Sequence, residues 1–535
     1  MSSSNIAHQL LNFLQKNGIE TIYGVTGDVL FPFFDALSQK PEIKFIGTSQ
    51  EVNAAFMASY QAKLTGKIAV CVATSGPGTA NLINGLADAY FDKAPVLAIT
   101  GQVASPKIGT GAKQEINQQK LLQEVTYSSQ QATSSDAVLP VVARALEMAI
   151  VNKTVAHVSI PMDLFTQTSE ININMPAIAP GSTFTSWDNG FTGLLEEAMP
   201  ILQNARNPLI VVGIGNKKLR EQIEKLAESL GAGIIVTQQA KGIIPHDHPR
   251  VLGGIGEAYI PEILKEVDCI LQIGTASFEK KYLPTGINTI QIADDTGAID
   301  YKQTNLAVMG NIMDILKSVI AKVEPIENKS WQEKITQEKD KLRSMIGEQR
   351  QNKNSPIHPA HLMTVLSELV PADAVIVCDI GGYVHWFDSY FQAKDQTILI
   401  SSHWRSMGSA LPGALGASVS QPEKKVIALV GDGGLMMSLG ELATAVKYKI
   451  PVTIIVANNH LYELEKIRME HQGLIPFGVD IHVPDFAALA KSFGAEGKTI
   501  TNPGELEPLI TESLTAPGPV VLDVQLVQVP LPFIN

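Results

Sequence analysis

The stretch that decides the fold runs from Gly431-Asp432-Gly433-Gly434 through LMMSLGELATAVKYKIPVTIIVA to Asn458-Asn459. Its first part carries apolar residues at helical spacing, and 452–457 is a β-rich apolar run. Another apolar run, 426–430, stands immediately before Gly431. The order is strand, turn, helix, strand, which is a βαβ unit whose two parallel strands are joined by a helical crossover.

Such a crossover brings both strands out on one sheet edge, where open α/β sheets bind ligands. Asp432 and Asn459 are therefore expected side by side. A carboxylate, an amide oxygen and a backbone carbonyl, best placed at Leu461, make a hard-oxygen partial shell suited to Mg²⁺, with the other positions left for water or phosphate oxygens. Gly431, Gly433 and Gly434 let the backbone approach a phosphate and aim N–H groups at it. The motif asks for a diphosphate.

At 535 residues the chain exceeds one core and suggests about three domains. Its composition, 45% hydrophobic and 18% charged, is that of a globular protein, and a net charge of −12 argues against nucleic acid as a partner. Cys71, Cys269 and Cys378 lie far apart in apolar runs and read as buried thiols of a reducing compartment. The N-terminus has neither a basic n-region nor an apolar h-region, and no apolar run approaches the length of a spanning helix. The expected location is cytoplasmic, with no membrane partner.

Alternating helix and strand patterns divide the chain into 1–170, 190–324 and 356–535, an α/β fold of three doubly wound domains. A polar, proline-containing stretch at 166–189 reads as a linker. The middle domain is Rossmann-like, yet Gly213-Ile214-Gly215 runs into Asn216-Lys217-Lys218 without the third glycine of a dinucleotide fingerprint, so nucleotide binding and a structural role both stay open. The charge-rich run at 325–355 reads as a solvated helix crossing between domains.

Glu51 opens the helical pattern EVNAAFMASYQAKLTGK. Alone, an acid in a first turn is a favourable partner of the helix dipole. Here it lies between Gly24-Val25-Thr26-Gly27-Asp28 and Thr74-Ser75-Gly76-Pro77-Gly78-Thr79-Ala80-Asn81-Leu82-Ile83-Asn84-Gly85. Together with the Gly-Asp-Gly to Asn-Asn motif, these segments resemble the thiamin diphosphate (ThDP) enzymes, in the pyruvate oxidase and acetohydroxyacid (acetolactate) synthase branch, over nearly the whole chain.

The resemblance implies a pyrimidine-binding first domain, a Rossmann-like middle domain and a diphosphate-binding third domain, with ThDP and Mg²⁺ as cofactors. It places the active site between the first domain of one chain and the third of another, hence a homodimer at minimum, with a homotetramer common in the family. It implies that Glu51 hydrogen-bonds the pyrimidine nitrogen and favours the imino tautomer, and that Met407 wedges between the cofactor rings. Val25, Pro77 and Asn81 match cofactor-binding positions of the first domain, and Gly381, Gly382 and Tyr383 match positions near the diphosphate. The implied activity is decarboxylation of a 2-oxo acid, most often pyruvate, with transfer of the acyl or aldehyde unit.

The chain also departs from the family pattern. Gln50 stands where pyruvate-using members have His, and Lys113-Gln114-Glu115 where they have Phe-Gln-Glu. After Asn459 they place a glycine and then apolar or aromatic residues, whereas this chain reads His460-Leu461-Tyr462-Glu463-Leu464-Glu465-Lys466-Ile467-Arg468. A substrate pocket of Lys113, Gln114, Leu464, Glu465 and Arg468 is thus charged. Buried charges without partners cost several kcal/mol. Three readings stay open: an internal pair of Arg468 with Glu465, a more acidic substrate such as a dicarboxylic 2-oxo acid, sulfonate or phosphonate, and side chains turned to solvent at the cleft mouth.

FAD or ADP in the middle domain stays open too, because 274–295 resembles the flavin-binding relatives while the usual acidic pair is displaced to Asp294-Asp295. The tail Leu531-Pro532-Phe533-Ile534-Asn535 is too short for an amphipathic anchor. A rival of another class is a cofactor-binding assembly subunit with altered catalysis, which the intact Glu51, Asp432 and Asn459 oppose.

Overall fold

The computed structural model describes residues 4–171, 188–213, 217–255, 261–275 and 283–531. The expected linker at 166–189, the glycine motif at 213–215, the stretch 274–295 and the final tail fall wholly or partly outside those residues.

Three six-stranded parallel sheets carry the chain. The first is built from β1 (Thr21–Gly24), β2 (Lys44–Gly47), β3 (Ala69–Ala73), β4 (Val96–Gln102), β5 (Ser128–Gln131) and β6 (Val155–Pro161), in the order β2-β1-β3-β4-β6-β5. β3, β4 and β6 are buried at every residue. Strands covered by helices on both faces read as near-continuous apolar runs rather than alternating ones, as β3 does.

The second sheet comprises β7 (Pro208–Val212), β8 (Gly233–Thr237), β9 (Val251–Ile255), β10 (Cys269–Ile273), β11 (Asn288–Ala293) and β12 (Leu306–Met309), ordered β12-β11-β10-β7-β8-β9. That is the Rossmann order, with its switch point between β7 and β10. The third comprises β13 (Val375–Cys378), β14 (Thr397–Ile400), β15 (Val426–Gly431), β16 (Val452–Asn458), β17 (Glu496–Ile500) and β18 (Val520–Gln525), ordered β14-β13-β15-β16-β18-β17. Counted within each domain, the first and third sheets have the same strand order. Their switch points fall between β1 and β3 and between β13 and β15.

These two domains share one continuous hydrophobic core. The helix Glu51–Thr65 packs directly on the helix Ala410–Ser420. A Cβ on Gly413 would stand 2.6 Å from the Tyr60 ring, and one on Gly416 would overlap the Met57 carbonyl, so only glycine permits this approach. Polar contacts flank it, made from both domains. Glu441, at the start of the helix Glu441–Lys447, accepts from Ser49 and Asn53 of the first domain. Asn84, in the first turn of the helix Ile83–Phe91, donates to Ser406 of the third domain at 3.0 Å.

Two expectations need correction. The single helix read after Gly431 is two, Asp432–Ser438 and Glu441–Lys447, because the chain turns at Gly440 to pass closely over Ser49. The charge-rich helix, Lys329–Arg350, is not simply solvated. It buries Trp331 and Ile335 against the middle domain, together with Lys339, whose ammonium donates to the carbonyls of His246 at 2.8 Å and Val251 at 3.2 Å. Its narrow apolar stripe was hidden among charges. Cys71, Cys269 and Cys378 are free and buried, as expected. Among the described residues no helix is long and apolar enough to cross a membrane.

Candidate active site

Glycine turns leave the carboxyl ends of β13 and β15 on either side of the switch point in the third sheet, and a cleft with about 620 Å³ of empty space opens there. From β13 come Gly381, Gly382 and Tyr383, from β15 Gly431 through Gly434, and from β16 Asn459, Leu461, Glu463, Leu464 and Glu465. Met407 closes one side. The crossover therefore does what the sequence asked of it, bringing Asp432 and Asn459 to one cleft.

Asp432 is buried at the first position of its helix, where its carboxylate accepts from the N–H of Gly433 at 2.7 Å and of His460 at 2.6 Å. Burial raises its pKa, and the backbone N–H groups oppose that. The two asparagines divide their work. Asn458 is buried and donates to Asp523 at 2.9 Å, which ties β16 to β18, while Asn459 faces the cleft. Tyr383 lines the cleft with Asn459. Its hydroxyl donates to the Leu429 carbonyl at 2.9 Å, so the ring forms a fixed floor beneath Gly381 and Gly431.

The glycines form a cradle that side chains would fill. A Cβ on Gly433 would overlap the Tyr462 ring, one on Gly434 the Asp379 carboxylate, and one on Gly382 the Glu463 carboxylate. A carboxylate, an amide oxygen and a backbone carbonyl beside N–H-rich turns fit Mg²⁺ and a diphosphate.

Two acids escaped the candidate set read from the sequence. Asp379 follows β13 and is fully buried, with its carboxylate accepting from Ile380 N at 3.0 Å and Gly408 N at 2.8 Å. It ties the β13 turn to the residue after Met407, and burial pushes its pKa up to about 7 against those N–H bonds. An acid at the end of an apolar strand, directly before Ile-Gly-Gly, was the available signal. Glu463 is only 7% exposed. Burial, then the charge of Asp432, push its pKa up to about 7, while a hydrogen bond from the Asn459 side chain opposes the shift. Its signal was its place in the charged run that follows Asn459.

The first-domain candidates gather elsewhere, at the carboxyl edge of the first sheet. Glu51 is buried at 8% exposure, and its Oε2 accepts from Asn81 Nδ2 at 2.9 Å. Gly78 passes close enough that a Cβ there would stand 3.1 Å from Glu51 Oε1. Pro77 and Asn81 are exposed and Val25 is half-buried. Gln114 packs on Gly76, which has a φ of +63°. Lys113 is exposed on a loop braced by Glu115, whose carboxylate accepts from the N–H groups of Gly109, Gly111 and Ala112. None of Val25, Glu51, Pro77, Asn81, Lys113 and Gln114 lines the cleft of the third domain in the same chain.

On the substrate wall, Leu464 is buried, whereas Arg468 and Glu465 are exposed and lie 3.6 Å apart. Asp294 and Asp295, the displaced acidic pair after β11, face Lys153 at 3.3 Å and Lys93 at 3.5 Å from the first domain.

Fold and cleft together fit a cofactor-dependent α/β enzyme with a glycine-lined seat for a diphosphate. Residues 4–121 match the thiamine pyrophosphate enzyme N-terminal TPP binding domain, 195–319 the central domain and 379–524 the C-terminal TPP binding domain. The chain is 32% identical to the Bacillus subtilis "Putative thiamine pyrophosphate-containing protein YdaP", covering 98% of this chain and 92% of that one. It is 29% identical to acetolactate synthase of Bacillus subtilis, covering 97% of this chain and 92% of the relative. Identity to the large subunit of Escherichia coli acetolactate synthase isozyme 2 is also 29%, covering 98% and 95%. The chain belongs to the thiamine pyrophosphate enzymes, in the acetolactate synthase and pyruvate oxidase branch, whose general activity is ThDP-dependent processing of 2-oxo acids.

Proposed function

We propose that this protein decarboxylates pyruvate or a close analogue with ThDP and Mg²⁺ and passes on the acyl or aldehyde unit, at a site built between two copies of the chain. The observation that carries this reading is the meeting of Asp432, Asn459 and the two glycine turns at the switch point of the third sheet. ThDP, when bound, supplies the nucleophilic carbon and the electron sink. Asp432, Asn459 and the Leu461 carbonyl hold the cation, and Gly381, Gly382, Gly431, Gly433 and Gly434 offer backbone to the diphosphate. Met407 orients the cofactor from the side of the cleft. Glu51, steadied by Asn81, holds the proton at the pyrimidine nitrogen, and Val25 and Pro77 flank that ring.

The separation of the Glu51 cluster from the cleft in one chain supports a composite site, and with it a homodimer or homotetramer. The pairing of Arg468 with Glu465 supports a substrate carrying a single negative charge. The sheet boundaries support domain limits of 1–170, 190–324 and 356–535. A cytoplasmic location is part of the proposal, supported by the three free thiols. The Rossmann order of the middle sheet offers FAD or ADP a place at the β7/β10 switch, and the absorption spectrum of the purified protein decides flavin.

The test is release of CO₂ from pyruvate by protein reconstituted with ThDP and Mg²⁺. Release with a 2-hydroxy-2-methyl-3-oxo acid as product marks a synthase, and release with oxygen uptake marks an oxidase. Silence from protein shown to bind ThDP refutes pyruvate as the substrate.

A further inference from the structure

Met407 reaches the cleft from the loop between β14 and the helix Ala410–Ser420, and the first domain of the same chain grips that loop. Asp92 follows the helix Ile83–Phe91, and its carboxylate accepts from the backbone N–H of Ser402 and of His403, each at 2.9 Å. Lys63, from the helix Glu51–Thr65, meets Asp92 at 2.6 Å and Asp88 at 2.7 Å, and it donates to the Ile400 carbonyl at 3.3 Å. Asn84 lies one turn before Asp88 on the same helix face. It donates to Ser406 Oγ at 3.0 Å and accepts from the Trp404 indole at 2.6 Å, and Trp404 stacks on Phe91.

The side chains of Asp92 and Lys63 are only 6% and 9% exposed, so salt screens the pair weakly. Burial opposes ionisation of Asp92, but Lys63 and the N–H donors outweigh it and hold its pKa below the ordinary carboxylate range. Arg405, between the gripped residues and Met407, has a φ of +56°. A residue other than glycine keeps that conformation only where its surroundings impose it. Beyond Met407, the Gly408 N–H donates to Asp379 at 2.8 Å. Met407 therefore stands between two carboxylates that hold backbone, one from each domain. We propose that Asp92 is a positioning residue: without lining the cleft itself, it fixes the backbone at 402–403 so that the loop presents Met407 to the cofactor seat. This inference rests on reading Met407 as the side chain that orients ThDP.

The experiment is a double-mutant cycle on the full chain, with ThDP binding at saturating Mg²⁺ read by titration calorimetry and folding checked by thermal melts. Asp92→Ala is expected to weaken ThDP binding by about fivefold or more in the wild-type background. Asp92→Asn keeps one acceptor oxygen and should fall between. In the Met407→Ala background the same Asp92→Ala change should cost less than twofold, because the side chain it positions is already gone. An equal loss in both backgrounds overturns the proposal, since Asp92 then acts through general stability or assembly. So does ThDP affinity within twofold of wild type in Asp92→Ala or in Met407→Ala. Where Asp92→Ala does not fold, Asp92→Asn and Asn84→Ala enter the same cycle under the same criteria. If wild type itself takes up no ThDP, it is the cofactor reading of the cleft that fails.

Discussion

Asn81 Nδ2 lies 2.9 Å from Glu51 Oε2, so the carboxylate that opens the helix Glu51–Thr65 is oriented by a side chain from the glycine-rich turn after β3. If Glu51 works at the pyrimidine nitrogen, Glu51→Gln should lower turnover by about 100-fold or more while leaving ThDP binding measurable by fluorescence. Asn81→Ala removes a support rather than the acid itself. Its loss should be smaller, about tenfold, in keeping with one hydrogen bond to a charged group.

A site shared between chains makes a prediction that one confined to a single chain does not. Glu51→Gln and Asp432→Ala should each be inactive alone. Mixed, dissociated and reassociated, they should recover about a quarter of wild-type activity, because half the dimers are then mixed and each mixed dimer has one intact site of two. No recovery on mixing, with hetero-dimers demonstrated by mass, would place both residues in one chain's site.

The interface between the first and third domains is packed through glycines of the helix Ala410–Ser420. Gly416→Ala pushes a methyl into the Met57 carbonyl and should destabilise by roughly 1–3 kcal/mol in urea unfolding. Gly347 lies inside the helix Lys329–Arg350, and a methyl group added there would meet nothing within 4 Å. Gly347→Ala should stabilise by about 0.4–1 kcal/mol, and the opposite signs are the test.

Asp379 should make the cofactor-free protein less stable as pH rises. Its folded pKa of about 7 lies above the unfolded value of 3.8, so between those values the native state holds a proton that the unfolded chain has released. The contribution is fully present below about pH 4 and is lost as pH passes through about 7. Urea unfolding at pH 5 and pH 7.5 should show this decline, and Asp379→Asn should make it shallower. An unchanged slope in the variant would assign the decline to other groups.

Much of the candidate site was legible because it is local in sequence. Asp432 and Asn459 flank one crossover, and Glu51 stands beside two glycine-rich segments, so residue type and spacing carry the information. Tyr383 was legible as a neighbour of the cleft but not as its floor, since the hydrogen bond to Leu429 joins the helix after β13 to the neighbouring strand β15. The burial of Asp379 and Glu463 beside glycines from other turns was not legible, because it depends on segments far away along the chain. The charge-rich helix was misread for the same reason, because burial of Trp331 and Lys339 depends on what lies opposite them.

The sequence by itself determined the alternation of strands and helices, the parallel sheets that alternation demands, and the candidate site residues at the strand ends. These follow from short-range periodicity and backbone preference. Only the tertiary structure decided that the first and third domains repeat one strand order and share one core. It likewise decided that the Glu51 cluster stands apart from the cleft of its own chain, and that Glu463 lies against Gly382. Those facts depend on close packing between segments far apart along the chain, where a glycine's missing side chain matters only because of the residue that fills its space.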